Sequence, residues 1–331
     1  MKKGNAKKHL WEYERLPSIE CSERPSVLVI GNGINRMFDA PSWEDLICNA
    51  LSRNKSFYTY EDIKDMPANM QIVVASAGKL GGRQPKGSGL TKEVQKIASQ
   101  LCVKTISSEY RDILDRILSL PVDMLLTTNY SNEFELFATG KSSTYQVRKC
   151  QRRTKQVKGI EEQFRLFQYT TLGENYPQRP LWHIHGDISR PSSMVIGHYY
   201  YGKLLKQIEE RVVAFIREFK RAEQKGEYYT PKSWVDYFLI GDVYFLGFGM
   251  NLAEQDLWWL LACKQENFPE SKVYFYQAEK HMDKSIKKLL IAYGAELVTD
   301  IPVLRENYQK YYSDAVDDIR GKMCAGGTYH V

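Results

Sequence analysis

Short apolar runs recur along the chain, and stretches with helical spacing separate them. The runs are 26–30 (SVLVI), 122–128 (VDMLLTT), 181–185 (LWHIH), 194–196 (MVI), 243–249 (VYFLGFG), 272–278 (KVYFYQA) and 295–298 (AELV). They are too short for helices, and most are rich in β-branched or aromatic residues, so they are predicted strands. Between them, residues 203–225 place apolar side chains at 204, 205, 208, 212, 215, 216 and 219, which is one face of a helix. Residues 252–266, 284–293 and 304–324 also read as helices, and a further one is expected from about 94 to 120.

Strands alternating with helices predict an α/β fold. The expected architecture is a Rossmann-like, mostly parallel sheet with helices on both faces, plus helical and loop insertions. Two stretches break the alternation. Residues 51–93 include the glycine-rich GKLGGRQPKGSG, which reads as a loop, and residues 140–180 read as a small antiparallel excursion.

Composition narrows the class without naming a function. Hydrophobic residues make up 43% and charged residues 26% of 331, as in ordinary globular proteins. No apolar run approaches a membrane span, and the basic start MKKGNAKKHL is followed by no apolar segment, so neither a membrane anchor nor a secretory signal is expected. The six cysteines include no C-x-x-C pair, which argues against a structural zinc and against a disulfide framework, and favours a cytoplasmic setting. A net charge of +6 permits nucleic-acid contact without indicating it. The basic cluster YQVRKCQRRTKQ reads first as a solvated edge.

Candidate chemistry sits at the predicted strand ends, where open α/β sheets bind ligands. In 181–185, alternation puts His183 and His185 on the same face. Such a pair can hold a metal with a third ligand such as Asp187, can supply a base, or can be two hydrogen-bonded imidazoles in a strand. GNGIN, directly after the first run, allows close backbone approach to a phosphate at a helix start. In TTNY, Asn129 either binds a ligand hydroxyl or water, or caps the helix that follows. GFGM repeats glycines at another strand end.

In this order, strand–GNGIN, strand–TTNY, strand–HIHGD, strand–GFGM and strand–FYQAE resemble the sirtuin-like NAD-consuming family over roughly residues 25–300. The resemblance implies that Gly31, Asn32, Gly33, Ile34 and Asn35 form the family's first glycine-rich loop, which packs on the NAD pyrophosphate. It makes Asn129 the catalytic asparagine, with Thr128 and Ser131 beside it, and His185 rather than His183 the catalytic base, followed by Asp187. Gly247, Phe248 and Gly249 correspond to the second nucleotide loop, and Gln277 falls where the family closes over adenine and ribose. NAD is thus the expected substrate, with no metal. The implied organisation is a tail at 1–24, a sirtuin-like NAD-binding catalytic domain at 25–300 with insertions about 51–93, 140–180 and 203–235, and a C-terminal helix and tail at 301–331.

Two departures refine the expectation. The deacylase branch of the family carries a zinc ribbon of two C-x-x-C pairs, which this chain lacks, so the resemblance is to the bacterial NAD-hydrolysing branch, whose members are often effectors in antiphage defence. Ser131 stands where many relatives have an aspartate that contacts the nicotinamide amide, with Asn132 or Asp187 as candidate substitutes. An unrestrained NAD hydrolase would poison its host, so a homo-oligomer, a separate sensor or activator encoded nearby, or both are expected partners. The competing readings are a non-catalytic nucleotide-binding regulatory subunit and an NAD-dependent protein deacylase. An ordinary dehydrogenase is disfavoured because GNGINR lacks the third glycine of G-x-G-x-x-G.

Overall fold

A computed structural model describes residues 24–36, 40–77, 96, 100, 107–139, 164–172, 176, 179–303 and 307–325. Seven strands form one sheet: β1 (Ser26–Ile30), β2 (Met124–Thr127), β3 (Thr170–Thr171), β4 (Pro180–His183), β5 (Asp242–Leu246), β6 (Val273–Tyr276) and β7 (Glu296–Val298), in the order β3-β4-β2-β1-β5-β6-β7. Every pairing is parallel except β3 with β4. Taken alone, the six parallel strands run third, second, first, fourth, fifth, sixth in chain order. That is the doubly wound order, and its direction reverses between β1 and β5, where such sheets bind ligands.

Helices cover both faces. They are α1 (Gly33–Arg36), α2 (Trp43–Arg53), α3 (Ala68–Ala77), α4 (Ser108–Leu118), α5 (Glu133–Thr139), α6 (His198–Lys225), α7 (Trp234–Ile240), α8 (Gln255–Asn267), α9 (Lys284–Ala292) and α10 (Tyr308–Ala325). Strand alternation divides the core. Val27, Val29, Leu126, Trp182 and Phe245 pack with α6, α7, α8 and α9, whereas Leu28, Ile30, Leu125, Leu181 and Leu246 pack with α4, α5 and α10. Both faces are thus buried, which is why the strands read as continuous apolar runs. A third, smaller cluster joins α2 and α3 to Tyr130, Met194 and Ile196.

Local chemistry fixes several helix ends. Ser42 and Asp45 form a reciprocal capping box at the start of α2, and Ser233 and Asp236 form another at α7. Asp236 also pairs with the buried Arg211 at 2.6 Å. Lys264 of α8 reaches the end of α7, where its ammonium donates to the carbonyls of Phe238 and Leu239, both at 3.0 Å.

Several expectations need correction. The third run ends as a strand at His183; Ile184 and His185 lie in the turn beyond it, so the two histidines do not share a strand face. Residues 194–196 are buried but form no strand, and the Val195 N–H makes one bond to the His185 carbonyl at 2.9 Å. The 203–225 helix begins earlier, at His198. In 94–120 the structure describes one continuous helix, α4, which starts where Ser107 caps it. Ahead of the glycine-rich stretch, the 51–93 segment contains the ordered α3, and its Leu51, Ile63, Ile72 and Ala75 join the small third core. The antiparallel excursion survives in the described residues as β3 on the edge of β4. The tail at 1–23, the glycine-rich 78–89 and the basic cluster at 145–156 lie outside the described residues. No helix among the described residues is long and apolar enough to cross a membrane.

Candidate functional site

The two glycine loops meet at the reversal point of the sheet. The Gly31 N–H donates to the Leu246 carbonyl at 3.0 Å, and the Gly33 N–H to the Gly247 carbonyl at 2.7 Å. A Cβ on Gly31 would lie 2.5 Å from the Gly247 oxygen and 2.6 Å from the Phe248 Cα, so no larger residue fits this crossing. Gly247 itself has φ +63°, the left-handed region that favours glycine. The helix after the first loop is only the four residues of α1, which leaves little aligned dipole to favour a phosphate.

Above this crossing opens a cavity of about 670 Å³, within the range of small-molecule sites. Ten of the residues predicted for the site line it: Asn32, Gly33, Thr128, Asn129, Ser131, His185, Gly247, Phe248, Gly249 and Gln277. Four do not. Gly31 is spent on the loop crossing, and Ile34 is wholly buried in the core. Asn35 accepts a hydrogen bond from the Tyr110 hydroxyl and donates to Ser131 Oγ at 3.5 Å. Asp187 is completely buried against Arg165, 2.5 Å away. Burial opposes the Asp187 charge, yet Arg165, His183 and the bonds from Ser189 hold its carboxyl below the usual range. Asn132, the other candidate for replacing the missing aspartate, lies off the cavity and donates to Glu135 at 3.5 Å.

Asn129 sits just past β2, with its backbone N–H on Thr127 Oγ1 at 3.1 Å and its amide nitrogen on the Gly31 carbonyl at 3.4 Å. Its Oδ1 is buried and has no hydrogen-bond partner among the described residues, leaving an acceptor for a ligand at the cavity wall. His183 supports this residue from behind. Its Nδ1 lies 2.8 Å from the Asn129 carbonyl, which can only accept, so that nitrogen carries a proton; its Nε2 lies 2.8 Å from Glu135 Oε1. Burial opposes the imidazolium, but the Glu135 charge and hydrogen bond, Asp187 and the Asn129 carbonyl overcome it, and the pKa is pushed up to about 9.

His185 faces the cavity and has a different partner. Its Nε2 lies 2.9 Å from Asp256 Oδ2 and 3.9 Å from Glu254 Oε2. Here too burial opposes the charge, while Asp256 and then Glu254 shift the imidazole toward its protonated form. The model of the SIR2-like domain family matches residues 123–293, from the start of β2 to the end of α9, and so carries both strand-end histidines and Asn129. The chain belongs to the SIR2-like family. No curated protein matches it. SIR2-like domains are typically NAD-dependent enzymes, which makes NAD the ligand class of this fold.

Within the SIR2-like site, sequence reasoning missed the partners of His185. Glu254 and Asp256 flank the start of α8, where acidic residues are expected on helix-dipole grounds alone. Only the fold, which brings them to a histidine about seventy positions away, gives them another meaning. These three side chains offer ligand atoms within 4.8 Å of one another. Of their contacts, His185 Nε2 to Asp256 Oδ2 is a hydrogen bond, and Glu254 stands beside it at 3.9 Å, bonded instead to the Tyr201 hydroxyl.

The opposite end of the SIR2-like cavity is aromatic and comes partly from α10, outside the matched region. Tyr308, Tyr311 and Tyr312 line it with Tyr276 and Gln277. The Tyr276 hydroxyl donates to Asp318 Oδ2 at 2.7 Å, tying α10 to the end of β6. Tyr308 OH lies 2.7 Å from His281 Nε2, and Gln277 donates to the His281 carbonyl at 3.1 Å. The Tyr311 hydroxyl is buried without a hydrogen-bond partner among the described residues. Arg36 is the only lysine or arginine among the described residues lining the cavity.

Proposed function

We propose that this SIR2-like chain is an NAD glycohydrolase, releasing nicotinamide and ADP-ribose. The observation that carries the reading is the meeting of Asn129, His185 and both glycine loops in one cavity at the reversal point of the sheet. Its aromatic end suits a purine, Arg36 suits a pyrophosphate, and the Asn129–His185 end suits a ribosyl centre.

The scissile bond joins nicotinamide nitrogen to ribose C1′. Nicotinamide leaves as a neutral base, so the transition state is oxocarbenium-like and needs positioning more than a covalent partner. The unpaired Asn129 Oδ1 orients water and ribose hydroxyls, with His183 holding the Asn129 backbone. His185, fixed by Asp256, belongs to the proton-handling apparatus of the wall. Nothing in the chain supplies the paired zinc cysteines of the deacylase branch, and this favours water over acyl-lysine as the acceptor.

In this reading the chain depletes NAD as an effector in bacterial antiphage defence. It works in the cytoplasm and is switched by self-association, or by a sensor or activator encoded nearby. The test is chromatographic detection of nicotinamide and ADP-ribose after incubation with NAD, alone and with those neighbouring proteins. A second reading, a non-catalytic NAD-binding subunit, is favoured by Ser131, a neutral cavity residue at the position of the expected aspartate. It predicts binding without product.

A further inference from the structure

Among the described residues lining the cavity, Glu254 supplies the only carboxylate. Asp256, the stronger partner of His185, is wholly buried, and the His185 side chain keeps 2% of its surface, whereas that of Glu254 keeps 19%. The Tyr201 hydroxyl donates to Glu254 Oε2 at 3.0 Å, and His185 Nε2 stands 3.9 Å from the same oxygen. The imidazole nitrogen therefore sits between two carboxylates, and only one of them opens to the cavity. Burial raises the Glu254 carboxyl, His185 opposes this, and Asp256 adds to it. A carboxylate shifted toward neutrality is the better proton acceptor.

We propose that Glu254 is a catalytic residue that takes the proton from the attacking water, held in place by Tyr201 and His185. The assignment rests on the hydrolase reading above. In the step, the water oxygen bonds to ribose C1′ and the C1′–N bond breaks. Its electron pair passes to the nicotinamide nitrogen, which loses its positive charge, and the water proton passes to the Glu254 carboxylate. The same negative charge faces the cationic ribosyl centre as it develops.

The experiment compares wild type, Glu254→Gln and Glu254→Ala for NAD affinity by calorimetry, for nicotinamide release, and for release in the presence of azide. Thermal melting checks folding, and each assay includes the proteins encoded beside the chain. Azide brings no proton that must be removed, so it replaces water without a base. The expected result is a fall in kcat of about 10²–10⁴-fold in both variants. NAD affinity stays within a few-fold, and azide restores nicotinamide release to Glu254→Ala with a ribosyl azide product. Tyr201→Phe, which removes a hydrogen bond and no charge, gives a milder loss and guards against misfolding of the Glu254 variants. A Glu254→Gln protein with wild-type kcat overturns the assignment, as does a loss that azide does not rescue in a folded, NAD-binding Glu254→Ala. Wild type that binds NAD and releases no nicotinamide under either condition overturns the hydrolase reading itself, a distinct outcome.

Discussion

His183 Nδ1 donates to the backbone carbonyl of Asn129 at 2.8 Å, while His185, two residues on, turns to Asp256 at 2.9 Å. The H-x-H pair thus serves two separate parts of the site. One imidazole is locked behind the strand-end asparagine, and the other stands at the cavity wall.

His183 makes stability depend on pH. Its folded pKa is about 9 against about 6.5 unfolded. The stabilisation is complete below 6.5 and is lost as pH rises through 9, an effect of roughly 3 kcal/mol. Melting curves from pH 6 to 10 should show this loss in wild type, and His183→Gln, less stable at pH 6, should show a flatter profile. Equal slopes would contradict the assignment.

The loop crossing tolerates no side chain. In Gly247→Ala the new Cβ would stand 2.9 Å from Ile34 Cγ1 at a φ of +63°. The expected cost is about 1–3 kcal/mol, measured by urea unfolding, together with weaker NAD binding. Gly249, whose added Cβ meets nothing within 4 Å, accepts alanine with little loss of stability.

Asp187 is buried off the cavity and paired with Arg165. Asp187→Ala leaves Arg165 buried and unpaired, at a cost of about 3–5 kcal/mol. Denaturation should register that loss, and the KM for NAD of the folded fraction should stay unchanged. A stable variant with a raised KM would return Asp187 to the ligand.

Chelation separates the His185, Glu254 and Asp256 cluster from a metal centre. With Nε2 of His185 on Asp256, dialysis against EDTA should leave nicotinamide release and melting temperature unchanged. Loss of activity restored by a divalent cation would make His185, Glu254 and Asp256 its ligands.

Much of this architecture is legible in the chain because buried parallel strands leave near-continuous apolar runs. β1, β2, β5 and β6 are all readable in this way, and so are the glycine loops that end two of them. Residues 194–196 mislead for the same reason. Met194 and Ile196 bury in one cluster and Val195 in another, so they alternate like a strand without a ladder partner. The α2–α3 layer is hidden because its small core closes on Tyr130, Met194 and Ile196 rather than within its own segment. Glu254 and Asp256 look like ordinary helix-start acids until the fold brings His185 to them. The α10 tyrosines carry no signal of their own beyond helical spacing.

NAD turnover of the purified chain, alone and with the proteins encoded beside it and with Asn129→Ala and His185→Ala alongside, separates a hydrolase from a binding subunit. Wild type should yield nicotinamide and ADP-ribose in equal amounts, and turnover should fall at least about 10²-fold in each folded variant. NAD binding without nicotinamide release under any of these conditions, or a folded His185→Ala with full turnover, would contradict this reading of the site.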